Sequence, residues 1–308
     1  MTHLKISRRT ALAGAAALPL VATSASVAQA AAPMLGESIP NFMRVKVGAF
    51  EVTNLMVGSR VVPDPQTIFG MNASAEDFNA ASATAGIPND KVRFYFTPTV
   101  VNTGAELVLF DTGLNGAATV GVLQAAGYTA DQIDVVVITH MHGDHIGGLS
   151  GDAGVTFPNA RYVTGRVEFD AWAAQDNDNF KAKVAPLADQ FTFLEDGGSV
   201  ASGITAMAAF GHTPGHMAYI LESEGAMLAI CADFANHYVW SLAYPDWEVR
   251  FDMDKAAAAA TRKRMLDMMA ADKIAFTGYH MPFPAFGYVE KPAAGGYVWV
   301  PHTYQLTL

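Results

Sequence analysis

Ile138-Thr139-His140-Met141-His142-Gly143-Asp144-His145-Ile146-Gly147-Gly148 decides the reading of this chain. Three histidines and one aspartate crowd together directly after the apolar run Asp134–Ile138. That run shows no polar alternation, so it is expected to be a strand buried on both faces. In an extended segment, residues two apart point to the same side, so His140 and His142 can grip one metal ion together. Gly143 lets the chain turn, and Asp144 and His145 then project toward a neighbouring point. Imidazole nitrogen and carboxylate oxygen are ligands that suit borderline divalent metals such as zinc. A lone histidine after a strand is more often a hydrogen-bonded structural residue; four ligand-type side chains at this spacing are not.

Further ligand types stand at the ends of later apolar strands. His212 lies in Gly211-His212-Thr213-Pro214-Gly215-His216, after a strand ending near Phe210. Asp233 follows Met227–Cys231, and His280 follows Ile274–Thr277. An α/β architecture gathers its functional groups at strand ends, so all three are candidate ligands.

The rest of the chain reads as strands and helices in alternation, with meanders. Phe42–Val57 reads as a strand pair around Gly48, and Lys91–Val101 and Leu107–Phe110 as two strands joined at Asn102-Thr103-Gly104. Ala117–Ala126, Phe169–Ala173, Phe180–Gln190 and Asp254–Ala271 read as helices. Thr205–Phe210, Met217–Leu221 and Met227–Ile230 read as strands in series. This order predicts an α/β sandwich with helices outside two central sheets. Arg262-Lys263-Arg264 reads as one solvated basic turn of the last helix.

Composition sets the outer limits. The chain has 308 residues, 51% hydrophobic and 16% charged, which is enough apolar material for a substantial core. Acids outnumber bases 29 to 19, a balance that repels phosphate backbones and argues against nucleic acid as a partner. A single cysteine cannot form an intramolecular disulfide.

Residues 1–30 read as an export signal: Lys5, Arg8 and Arg9, then an apolar run from Ala11 to about Val21, then Ala28-Gln29-Ala30. The adjacent Arg8-Arg9 fits a twin-arginine signal and a periplasmic destination. The run is too short and too rich in Ala and Gly for a stable membrane anchor. Removal after Ala30 takes three positive charges from a formal net charge of −10 and leaves −13. Residues 31–308 then read as one hydrolase domain.

With these motifs in hand, the chain resembles the metallo-β-lactamase superfamily. The resemblance rests on His140-x-His142-x-Asp144-His145, then His212, Asp233 and His280 in order, with Asp111-Thr112-Gly113 upstream. It implies a four-layer αββα sandwich. It also implies one metal on His140, His142 and His212, a second on Asp144, His145 and His280, and Asp233 bridging both. Two cations about 3.5–4 Å apart need such a shared anion, and their shared water has a pKa lowered toward about 7, which supplies a metal-bridging hydroxide as nucleophile. Asp233 and Asp144 are the residues expected to carry the catalysis. Zn2+ is the expected ion; Mn2+, Co2+ and Fe2+ also fit this ligand set.

Within the superfamily, Val101-Asn102-Thr103-Gly104, Gly211–His216 and Gly296–Pro301 look like the methyl parathion hydrolase and lactonase subgroup. That likeness implies a small neutral lactone, ester or phosphotriester as substrate, and it leaves a homodimer open. The leading expectation is opening of lactones or small esters, such as acyl-homoserine lactones. A phosphotriesterase or arylesterase is the alternative, and an iron-dependent oxidoreductase a distant one. Asp111 is expected to orient a ligand imidazole, with His216 as a further supporting residue. Trp172, Phe180, Asn236, His237, Phe283 and Phe286 are the expected pocket residues. Asn236 stands where lactonases of this fold often carry a tyrosine. Cys231, on a buried strand, reads as a small core residue.

Overall fold

The computed structural model describes residues 38–303, apart from 152, 153 and 294. The export signal expected over residues 1–30 lies outside them. Among the described residues no helix is long and apolar enough to cross a membrane.

Two seven-stranded sheets form the centre. The first runs, edge to edge, Phe42–Val47, Phe50–Leu55, Thr99–Asn102, Leu107–Phe110, Val135–Ile138, Arg161–Gly165 and Phe191–Leu194. Its last three ladders are parallel and the others antiparallel. Val135–Ile138 has parallel neighbours on both sides and is fully buried, as its unbroken β-branched run predicts. The second sheet runs Ser199–Ala201, Ile204–Ala208, Met217–Ser223, Ala226–Ala232, Ala275–Gly278, Phe286–Glu290 and Val298–Pro301.

Between the sheets, Val52, Val108, Val135 and Val137 meet Ile204, Tyr219, Leu228 and Ile230. Outside the first sheet, Leu109, Val136 and Ile138 pack on Leu123, Trp172 and Phe180, which the helices Gly116–Ala125, Arg166–Ala173 and Asp178–Lys183 carry. Outside the second, Ala229, Cys231 and Phe276 pack on Met265, Leu266 and Met269 of the helix Lys255–Asp272. The result is helix, sheet, sheet, helix: the expected αββα sandwich. Local signals set the helix starts. Asn115, Asn177 and Asp254 each accept a backbone N–H three residues on, satisfying a donor that the helix cannot.

One expected strand is divided. Lys91–Val101 breaks at Pro98, which has no N–H for a ladder. Lys91–Phe96 leaves the main sheet and pairs with Gly58–Pro63 as a two-stranded ribbon. Phe94 and Phe96 of this ribbon, with Phe69, Phe78 and Trp240, form a fourth apolar cluster. A second expectation is corrected. Arg262 is not solvated: it is 1% exposed and sits on the buried face of the last helix.

Candidate metal centre

Every group of the site follows the carboxyl end of a strand, the usual place for function in layered α/β folds. Leu107–Phe110 delivers Asp111, and Val135–Ile138 delivers the His140–His145 segment. Ile204–Ala208 leads to His212, Ala226–Ala232 to Asp233, and Ala275–Gly278 to His280. Two of these exits bend through the left-handed region without glycine, at Asp111 (φ 61°) and Ala232 (φ 45°). Such strain persists where surrounding structure fixes it, as at functional sites. Gly211 shows why His212 can sit where it does. Its φ is 126°, and a Cβ there would lie 2.1 Å from the backbone nitrogen of Ala258. Only glycine lets this loop press against the last helix.

The structure brings all seven expected side chains together. His140 Nε2 lies 3.2 Å from His142 Nδ1, which lies 3.0 Å from His212 Nε2. Asp144, His145 and His280 form a second group, with Asp144 Oδ2 3.6 Å from His145 Nε2 and 3.4 Å from His280 Nε2. Asp233 stands between the groups. Its Oδ2 is 3.4 Å from His212 Nε2 and 3.1 Å from His280 Nε2, and its Oδ1 is 3.5 Å from His145 Nε2.

Outward hydrogen bonds fix which ring nitrogens face inward. His145 Nδ1 donates to Asp111 Oδ2 at 2.8 Å, His212 Nδ1 to Asp252 Oδ1 at 2.9 Å, and His280 Nδ1 to the Tyr95 carbonyl at 2.7 Å. The Thr139 hydroxyl donates to Asp111, so it accepts from His140 Nδ1 at 3.2 Å. Each of these four rings therefore turns its other nitrogen inward, where the neutral imidazole offers a lone pair to a metal ion. Asp111 is thus hydrogen-bonded to a ligand-type imidazole. His216 Nε2 accepts the backbone N–H of Asp233 at 3.1 Å, and Asn236 Nδ2 donates to Asp233 Oδ2 at 3.0 Å.

Converging lone pairs and carboxylates are unfavourable without a cation between them. Two buried atoms at the centre, His145 Nε2 and Asp233 Oδ1, have no hydrogen-bond partner among the described residues. Buried polar atoms are otherwise nearly always paired, so these two are a vacancy in hydrogen bonding that metal coordination would fill. The spacings of 3.0 and 3.2 Å among the three histidines are close to the edge of a tetrahedron with zinc–nitrogen bonds, about 3.3 Å. The donor set fits two divalent ions.

Titration reflects the same crowding. Burial, with the neighbouring imidazoles, pushes His140 well below its ordinary range and His142 down to about 3. Burial presses the same way on His145 and His280. There the carboxylates prevail: Asp111, Asp144 and Asp233 hold His145 well above the imidazole range, and Asp233 and Asp144 raise His280 to about 10. The carboxylates make this centre a place that favours positive charge.

A cavity of about 340 Å³ opens over His142, Asp144, Asp233 and His280. Its walls are Arg60, Phe94, Phe96, Phe251 and Leu114, none of them anticipated from sequence. Of the expected pocket residues, Trp172 is buried with its ring 5.7 Å from that of His142, and Asn236 holds Asp233. Phe180 and Phe286 belong to the apolar core, and Phe283 is half-buried and lines neither this cavity nor the one that His237 lines. Cys231 packs in the outer core against Met269, with its thiol pushed up by burial.

Glu168 was not anticipated either. Its carboxylate is fully buried and accepts four hydrogen bonds. Oε1 takes the Met141 N–H at 2.9 Å and the Trp172 indole at 2.7 Å; Oε2 takes the Thr213 hydroxyl at 2.7 Å and the Gly215 N–H at 2.9 Å. It therefore ties the His140–His142 segment to the His212 loop. The Glu168→Gln protein is expected to hold the three-histidine ion about 10–100-fold more weakly, because an amide NH2 cannot accept. Competition against a chromogenic chelator measures this, and unchanged affinity would reduce Glu168 to a packing role.

Comparison with known proteins agrees with this geometry. The sequence profile of the metallo-beta-lactamase superfamily matches residues 97–275. The chain belongs to the metallo-β-lactamase superfamily. It is 26% identical over 165 residues to an N-acyl homoserine lactonase of Bacillus sp and 27% identical to one of Bacillus thuringiensis. Each match covers 52% of this chain and 61% of the relative, so the chain spans about three fifths of those lactonases. A hydroxyacylglutathione hydrolase of Francisella tularensis subsp. novicida is 29% identical over 105 residues, 33% of this chain and 34% of that one.

Among solved metallo-β-lactamase-fold structures, the dizinc quorum-quenching lactonase AidC superposes with a TM-score of 0.77 at 24% identity, covering 86% of this chain and 98% of its own. The hydrolase AbOPH gives 0.80 at 22%, covering 87% and 100%. At these identities the structures establish the fold alone.

Proposed function

We propose that this chain is a metal-dependent hydrolase, exported from the cytoplasm, that opens lactones or small carboxylic esters. The observation that carries the reading is the pair of ligand groups joined by Asp233 beside an apolar cavity. Two divalent ions held there, zinc first among them, would lower the pKa of a shared water and polarise the scissile carbonyl. His140, His142 and His212 would hold one ion, Asp144, His145 and His280 the other, with Asp233 between. The chain's own contribution is positional. Asp111, Asp252 and the Tyr95 carbonyl keep the imidazoles turned inward, and Asn236 and His216 keep Asp233 in place. Phe94, Phe96 and Phe251 give an apolar body a wall, which suits a neutral acyl substrate. The lactonase names of the sequence relatives support this substrate class over a phosphotriester.

The test is proton release near neutral pH from zinc-loaded protein given N-hexanoyl-homoserine lactone, with chelator-stripped protein as reference. Turnover restored by zinc, at two ions per chain by elemental analysis, is the expected result. Aryl phosphotriesters cleaved orders of magnitude faster than lactones would move the substrate class. Iron in the natively purified protein without hydrolysis of either would overturn the reading.

A further inference from the structure

A second cavity, of about 320 Å³, is also lined by the ribbon strand Lys91–Phe96. Along that strand Phe94 and Phe96 line the metal cavity, while Lys91, Val92, Arg93 and Tyr95 line the second one. The two cavities share no lining residue. Opposite the strand stand His237, Tyr238 and Trp240.

His237 is the built part of this site. It is only 8% exposed, with its ring stacked on Trp240 at 4.2 Å and beside Tyr238 at 4.8 Å. Its Nδ1 accepts the backbone N–H groups of Val239 at 3.1 Å and Trp240 at 3.2 Å. That fixes the neutral tautomer with hydrogen on Nε2. Nε2 has no hydrogen-bond partner among the described residues, and the residue lines the cavity, so this donor is left for a ligand. Burial holds this ring down to about 3, so it stays neutral at working pH.

Charge supplies the second observation. Lys91 and Arg93 are the only charged side chains in the lining, and no carboxylate is among them. Among the described residues neither is paired with an acid, and Arg93 reaches the Ser59 hydroxyl at 3.4 Å. In a chain with 29 acids and 19 bases, two unpaired cations over an aromatic wall are a local reversal of charge.

We propose that this cavity binds a small carboxylate with an aryl or alkyl body, separately from the metal site. Its carboxylate faces Lys91 and Arg93, its body lies against Tyr238 and Trp240, and His237 Nε2 donates to an oxygen of the ligand. Tyr95 lines the cavity and its carbonyl holds His280, so the ligand would sit one residue from the metal set. The proposal does not depend on which substrate the metal site takes.

The probe is 4-phenylbutyrate, titrated into metal-loaded protein by calorimetry. A carboxylate also has access to the metal cavity, so variants separate the two. Saturable binding is expected, weakened at least about tenfold in the exposed pair Lys91→Glu/Arg93→Glu and retained in Arg60→Ala, which changes the metal cavity. The neutral isostere 4-phenylbutyramide is expected to bind at least about tenfold more weakly. Three results would each overturn the proposal: no saturable binding to about 10 mM, affinity unchanged in the double variant, or amide and acid bound alike.

Discussion

Asp233→Ala is expected to bind no more than a single zinc ion per chain and to lose turnover by on the order of 10³-fold or more. The carboxylate touches ring nitrogens of both ligand groups, from 3.1 Å at His280 to 3.9 Å at His140. Without it, two cations would be held a few ångströms apart with no shared anion to offset their repulsion. Asp233 is itself well prepared for this. Burial works against its charge, but His280 and His145 outweigh burial and hold its carboxyl well below the usual range. Elemental analysis after dialysis against buffered zinc gives the stoichiometry, and lactone turnover gives the rate. Asp233→Asn separates charge from shape. The amide keeps the volume but offers no anion, so it should behave like Ala in ion count while keeping native thermal stability. Two ions retained in both variants, with rates within tenfold of the parent, would remove Asp233 from the bridging place.

The sequence makes one half of this site legible and hides the other for a physical reason. His140, His142, Asp144 and His145 sit within one strand exit, where the two-residue period and Gly143 dictate local geometry. His212, Asp233 and His280 each end an apolar run, so strand ends locate them. The groups that hold these ligands in place carry no such local mark. Asp252 meets His212 only through the loop that precedes the last helix, and Glu168 meets Met141, Thr213 and Gly215 only once both sheets are assembled. Glu168 does stand four residues before Trp172, which places both on one helix face. That spacing was the available signal. Reading Lys91–Val101 as one strand hides the cavity walls Phe94 and Phe96. Only the break at Pro98 frees them to form a ribbon over the metal ligands.

Arg262 exposes the same limit most sharply, and its replacement carries the largest expected stability effect. Read from sequence, Arg262-Lys263-Arg264 is a solvated turn. Lys263 is half-buried and Arg264 exposed, bonded to Asp246 and to the Ala208 carbonyl respectively. Arg262 points the other way. Its Nε donates to the Phe234 carbonyl at 2.9 Å, Nη1 to the Pro245 carbonyl at 2.7 Å, and Nη2 to Asp252 Oδ2 at 2.8 Å. Asp252 in turn accepts from His212 Nδ1, so the guanidinium neutralises the carboxylate that orients a ligand. Arg262→Met keeps the apolar stem but leaves Asp252 buried without the guanidinium that faces it. That loss is expected to cost about 3–5 kcal/mol of stability and to lower the melting temperature by roughly 10 °C. Arg262→Lys restores the charge but not the three-way fork, so it should recover only part of the loss. The double variant Arg262→Met/Asp252→Asn removes the carboxylate's charge and should be more stable than Arg262→Met alone. Denaturant unfolding of the metal-free proteins reads all three without interference from bound ions. A single variant within 1 kcal/mol of the parent, or a double variant less stable than the single, would mean that the fork contributes little and that His212 is oriented by its loop alone.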